Sequence, residues 1–130
     1  MRALVIDDSR AMRRIVTAIL EGLGFEVRDA GHGREGLDLL EGLERDQLPD
    51  LVCVDWNMPV MDGLQFVNAV RANPAWRGLT LMMVTSESEH GQIVRALAAG
   101  AHEYVIKPFT ADAIRDKLAL LGLLPQEVVL

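Results

Sequence analysis

"LVCVDWNMPVMDGL", running from Leu51 to Leu64, is the stretch whose reading decides the fold. Four apolar residues lead without a break into Asp55, and Trp56, Asn57 and Pro59 follow at once. A short apolar run without alternation reads as a strand covered on both faces, since a half-wet strand alternates apolar and polar residues. A carboxylate at the end of such a strand is either a loop group meeting water or a reactive group held at the mouth of a sheet. The rest of the chain decides between the two.

Working outward, four more short runs recur: Ala3 to Ile6, Phe25 to Val27, Leu81 to Val84 and Tyr104 to Ile106. The five starts lie 22, 26, 30 and 23 residues apart, with helical periodicity between them. Met12, Ile15, Val16, Ile19, Leu20 and Leu23 form one stripe, with Ser9 as its cap and Gly24 as its stop. A second helix is expected from Arg34 to Leu43, with Leu37, Leu40 and Leu43 inward. A third runs from Leu64 to Ala72, closed by Asn73-Pro74, and a fourth from Ser88 to Ala99, stopped by Gly100. Thr110 caps a fifth that presents Ile114, Leu118 and Leu121. Strand and helix alternating five times give an α/β fold, a doubly wound five-stranded parallel sheet with five helices. "FEVRDA" alternates and suits an edge strand, which favours the flavodoxin-like order 2-1-3-4-5. Sites in such sheets lie beyond the carboxyl ends of the strands, at the switch point between strands 1 and 3.

The chain of 130 residues reads as one domain, with no linker and no low-complexity segment. No apolar run approaches the ~20 residues that span a bilayer, and the start lacks the features of a secretory signal. Thirteen basic against 19 acidic side chains leave a net charge of −6, which disfavours binding to nucleic acid. Cys53 is the single cysteine, expected as an inert buried thiol of a cytoplasmic protein.

At the carboxyl ends of the strands stand Asp7 and Asp8, Asp55, Thr85, and Lys107 followed by Pro108. Singly, each has an ordinary explanation as a cap, a turn hydroxyl or a solvated lysine. Together they fall where this fold puts its sites. Three carboxylates repel one another and need a cation; hard oxygen ligands select Mg²⁺. Asp8, Asp55 and a loop carbonyl just after Asp55 can supply protein oxygens. The set suits phosphoryl transfer to Asp55, with Lys107 and Thr85 facing the phosphate oxygens.

The segments "LVIDDS", "VCVDWNMPVMDGL", "MMVTSE" and "EYVIKPF" resemble a response-regulator receiver domain of the CheY-like type over nearly the whole chain. The resemblance implies that Asp55 is the phosphoacceptor and that Asp7 and Asp8 hold Mg²⁺, Asp8 the more directly. It further implies the Asn57 backbone carbonyl as third protein ligand, Thr85 and Tyr104 as a switch pair, Lys107 as the phosphate contact, and a cis bond before Pro108. Ile93, Tyr104 and Lys117 are then candidates for a partner-reading face. The resemblance also implies that Asn57 and Glu87 flank the path of hydrolytic water, which the small Ser86 leaves open. Pro59 and Gly63 are expected to bend the chain into helix 3, with Gly63 allowing a positive φ. A histidine kinase and a downstream protein bound on phosphorylation are the implied partners of a monomeric single-domain regulator, chemotaxis-like in type. A phosphorelay intermediate or a receiver of another pathway is the alternative. The helix 4 start "SESEHGQ" is acidic where the best-known chemotaxis regulators carry lysines, which counts against the flagellar motor as target.

A phosphatase of the haloacid dehalogenase type would need an Asp where Asn57 stands, as general acid. A flavin carrier would need a Gly- or Ser-rich phosphate loop in place of "DDSRAM". His32, His90 and His102 show no ligand spacing and read as surface residues. Trp76 reads as a loop anchor, and the methionines as core packing.

Overall fold

The structure is a computed structural model that describes residues 1–86 and 90–124, the side chain of His90 excepted. Five parallel strands, β1 (Arg2–Ile6), β2 (Glu26–Ala30), β3 (Leu51–Asp55), β4 (Thr80–Ser86) and β5 (Glu103–Lys107), form one sheet in the order β2-β1-β3-β4-β5. Helices α1 (Arg10–Gly22), α2 (Gly33–Glu41), α3 (Gly63–Ala72), α4 (His90–Ala99) and α5 (Ala111–Leu120) connect and flank them. Fold class and strand order follow the sequence reading.

Strand alternation divides the core. Ala3, Val5, Cys53, Met82, Val84 and Val105 face α1 and α5, meeting Val16, Leu20, Ile114 and Leu118. Leu4, Ile6, Val52, Val54, Leu81 and Met83 face the other way, onto α2, α3 and α4 through Leu37, Leu40, Phe66, Val70 and Ala96. Full burial of each large side chain contributes about 2 kcal/mol before conformational entropy is subtracted. Gly36 is small because Ile6 occupies the space a Cβ would need.

The caps are local and legible. Ser9 Oγ accepts the Met12 N–H, and Thr110 Oγ1 accepts that of Ala113. Asp62 and Gln65 form a reciprocal capping box at α3. His32 caps α2 through Nδ1, which accepts the Glu35 N–H at 3.2 Å.

Several expectations shift. Strand 2 starts one residue late and runs to Ala30, because Arg28 and Asp29 on this edge extend into water while their backbone pairs with β1. Ile15 belongs to the predicted stripe but is half exposed, since the buried seam of α1 narrows to Val16 and Leu20. Leu43 lies past the end of α2 and is half-buried. The first residues assigned to helix 4, Ser88 and Glu89, lie outside the described residues. Trp76 is buried in a 3-10 turn, Pro74–Trp76, in agreement with an anchor.

Candidate functional site

The apolar run Leu51–Val54 is fully covered and paired on both edges, and it delivers Asp55 to the sheet's carboxyl rim. Alternation then sorts the rim. Asp7, Asp55 and Lys107 each continue the α1/α5 side of their strands, following Val5, Cys53 and Val105. Thr85 continues the opposite side after Met83, and Tyr104 lies beside Met83 in the register. The acidic group and Thr85 therefore share one rim from opposite faces, while Tyr104 lies three residues before the carboxyl end of β5.

Asp7, Asp8 and Asp55 bring carboxylate oxygens within 4.8 Å of one another. Asp7 and Asp55 are buried; Asp8 is exposed. Lys107 Nζ donates to Asp7 Oδ2 at 3.3 Å and to Asp55 Oδ1 at 3.4 Å, so one ammonium bridges two of the three carboxylates. Asp7 is engaged at every polar atom. Its Oδ1 accepts the Ser9 N–H at 2.9 Å, its carbonyl accepts Arg13 Nη1 at 2.7 Å, and its N–H donates to the Ala30 carbonyl at 3.2 Å. Burial, then the neighbouring Asp7 carboxylate, push the Asp55 pKa up to about 6; the charge and hydrogen bond of Lys107 pull against this, and Asp8 adds a smaller push upward. Three carboxylates against one bridging ammonium leave an excess of hard, negative oxygen, a donor set that fits a small divalent cation.

The loop after Asp55 is bent by two devices. Met61 N–H donates to the Pro59 carbonyl at 2.7 Å across Val60, a γ-turn that sets Val60 at φ 70°. Gly63 opens α3 and donates its N–H to the Trp56 carbonyl at 2.8 Å. The expectation of a positive φ at Gly63 is corrected: the positive-φ glycines are Gly24, Gly100 and Gly122. Gly63 is needed for space, because a Cβ there would lie 2.6 Å from the Asp55 carbonyl oxygen and 2.8 Å from Met83 Cε. Asn57 is exposed on this loop, and Met58 and Met61 are half-buried against the α2/α3 core.

Thr85 is buried, with its hydroxyl 3.5 Å from the Ser86 carbonyl. Tyr104 is half-buried at the outer edge strand, and Lys117 Nζ lies 4.5 Å from its ring centroid. The same ammonium donates to Glu103 Oε1 at 2.9 Å. Burial alone would raise the Glu103 pKa, but the Lys117 hydrogen bond, the Tyr104 N–H and the Lys117 charge together hold it below the usual range. Ile93 is buried on α4 rather than presented on the surface. Ser86 ends β4 half-buried; Glu87 lies outside the described residues. The Lys107–Pro108 bond is cis.

The structure thus brings Asp7, Asp8, Asp55 and Lys107 together and sets Thr85 on the same rim. Arg13 and Glu103 were missed from sequence. Both are ordinary surface-type charges whose partners are remote or lie on another element. His102 is exposed as expected, yet its Nδ1 accepts from the Leu81 N–H at 3.1 Å and lies 3.3 Å from Arg71 Nη2. Cys53 is buried and its thiol is pushed up to about 12 by that burial, which leaves it inert.

Residues 3–119 match the response regulator receiver domain family. The chain is 40% identical over 119 residues to a chemotaxis protein CheY homolog of Campylobacter jejuni, covering 91% of this chain and 89% of that protein. It is 38% identical over 122 residues to chemotaxis protein CheY1 of Helicobacter pylori, covering 93% and 96%. The chemotaxis response regulator CheY4 of Vibrio cholerae superposes with a TM-score of 0.82 at 32% identity, over 92% of this chain and 97% of that one. The receiver domain of NtrX from Brucella abortus gives 0.81 at 28% identity, over 93% and 97%. Among the described residues, no helix is long and apolar enough to cross a membrane.

Proposed function

This chain belongs to the response regulator receiver domain family, and from that premise we propose that Asp55 accepts a phosphoryl group from the phosphohistidine of a histidine kinase. One observation carries the reading: a buried carboxylate at the end of a covered strand, bridged to Asp7 by Lys107 and crowded by Asp8. Burial strips water from Asp55, and a pKa of about 6 leaves it largely ionised at neutral pH. Lys107 engages one Asp55 oxygen, and the other attacks phosphorus. The P–N bond breaks, its electron pair leaves on the imidazole nitrogen, which takes up a proton, and Asp55 becomes a mixed anhydride. Lys107 then serves the incoming phosphate oxygens as a point charge.

Asp8, Asp55 and the Asn57 backbone carbonyl would hold Mg²⁺, with Asp7 beside them. Asp7 has both carboxylate oxygens engaged by Ser9 and Lys107, whereas Asp8 is exposed, so Asp8 is the more direct ligand. When bound, the ion would offset the charge on both the nucleophile and the phosphoryl oxygens. The Thr85 hydroxyl turns to the phosphate, and Tyr104 moves inward into the space released, altering the face formed by α4, β5 and α5. Moving such an equilibrium from mostly off to mostly on takes about 5 kcal/mol of differential interaction, within reach of a few charge-assisted hydrogen bonds. A downstream protein reads that face. The Campylobacter jejuni and Helicobacter pylori relatives are chemotaxis proteins, which supports chemotaxis as the pathway class.

The test is incubation with Mg²⁺ and acetyl phosphate. Wild type should take up a hydroxylamine-labile phosphate, dependent on Mg²⁺ and absent from Asp55→Asn. Label that persists in that variant, or that resists hydroxylamine, sinks the assignment.

A further inference from the structure

Arg13 lies behind the acidic group, one turn into α1. Its side chain is only 18% exposed, and its Nε donates to Asp29 Oδ2 on β2 at 3.0 Å. Its Nη1 donates to the Asp7 main-chain carbonyl at 2.7 Å. That carbonyl belongs to the peptide joining Asp7 to Asp8. The N–H of Asp7 is fixed from the other direction by the Ala30 carbonyl at 3.2 Å, and its side chain by Ser9 and Lys107. Asp8 has none of these restraints on its own side chain, which is exposed. The plane of the Asp7–Asp8 peptide fixes the N–Cα bond from which the Asp8 side chain departs, and Arg13 holds the oxygen of that plane.

We infer that Arg13, oriented by Asp29, is a positioning residue for the cation site: it fixes the Asp7–Asp8 peptide so that the Asp8 carboxylate is presented to the ion. The inference rests on the cation-binding reading above. The residue types suit the role. A guanidinium fork serves two acceptors in one rigid plane, here a carboxylate and a carbonyl, and a lysine ammonium does not reproduce that geometry. Asp29 also neutralises the guanidinium, so that the restraint is gained without placing an uncompensated positive charge beside a site for a cation. The clamp ties α1 and the edge strand β2 to the metal side of the rim, away from Thr85 and Tyr104.

Arg13→Lys keeps the charge and removes the fork, which separates positioning from simple electrostatics. Mg²⁺ is titrated into the full chain and followed by the backbone amide resonances of Asp8 and Trp56. Loss of an outer partner of a metal ligand typically weakens affinity by about tenfold or more, and a rise of about tenfold in the Mg²⁺ Kd is expected. Asp29→Asn should raise it in the same direction. At saturating Mg²⁺, the rate of Asp55 phosphorylation by acetyl phosphate should return to the wild-type value in both variants, a recovery that general damage to the fold would not show. An unchanged Mg²⁺ Kd in Arg13→Lys, or a rate that stays low at saturating Mg²⁺, overturns the inference. Wild-type protein that binds no Mg²⁺, with Asp8→Ala indistinguishable from it, overturns the parent reading instead.

Discussion

Ionised Asp55 should destabilise the metal-free fold, and its removal should be visible as a gain in stability. Its pKa rises from 3.8 to about 6 in the folded protein. A shift of that size corresponds to about 3 kcal/mol of unfavourable interaction once the group is ionised. At 6% exposure, solvent does little to screen it. The sign follows from proton counting. Above about pH 6 the carboxylate is ionised in both states, and the folded protein carries the whole cost. Between that pH and 3.8 the folded state holds a proton that the unfolded chain has released, so stability rises as pH falls; below 3.8 the cost is gone. Asp55→Asn keeps the shape and removes the charge, but also removes one of the two carboxylates that Lys107 bridges. The pull of Lys107 is already contained in that shift, so the net gain expected at pH 8 is about 3 kcal/mol. Urea unfolding in chelator, followed by far-ultraviolet circular dichroism, measures the gap between variant and wild type. It should be largest at pH 8, shrink through pH 6 and close near pH 4. A gap that is constant across this range, or a less stable variant at pH 8, refutes the electrostatic argument.

Gly63→Ala forces a methyl group against the Asp55 carbonyl and Met83, and should cost about 2 kcal/mol in urea unfolding while slowing phosphorylation; a neutral result would mean that the loop is free to move. Burial, then the nearby Arg71 guanidinium, hold the His102 pKa below its usual 6.5, so its contribution to stability is present above 6.5 and lost as pH falls through the lowered value. The acid-side loss should be smaller in His102→Asn than in wild type, and identical pH profiles would remove His102 from the account. Glu87 is proposed to flank the path of hydrolytic water together with Asn57, so Glu87→Leu should lengthen the phosphorylated lifetime, read as label remaining after donor removal. Unchanged decay would rule out that gate.

The fold was legible because its strands announce themselves. Runs such as Leu51–Val54 have no polar break, and a charge at the end of each placed Asp7, Asp55 and Lys107 at one rim through topology alone. Strand 2 was harder: its edge position lets Arg28 and Asp29 sit in water, so hydropathy ends before the backbone pairing does. Gly63 was recognised as necessary for a wrong reason. Sequence marks a glycine but does not tell conformational freedom from lack of room, and only the distances to Asp55 and Met83 decide. The positive φ falls instead on Val60, a β-branched residue that no local rule would choose. Arg13 was invisible as a site residue, because its value comes from a carbonyl six positions back and a carboxylate on another strand. Lys117 was a candidate for the partner-reading face from sequence, but its bond to Glu103 and its place over the Tyr104 ring arise only once α5 lies against the edge strand.

Borohydride mapping of the acetyl phosphate-treated protein tests the central claim most directly, since the reagent reduces an aspartyl phosphate to homoserine at its position in the chain. Peptide mass spectrometry of the reduced protein should find homoserine at position 55 alone, in Mg²⁺ and not in chelator. Homoserine at position 7 or 8, or none in protein that has taken up phosphate, would contradict the assignment of Asp55 as the phosphoacceptor.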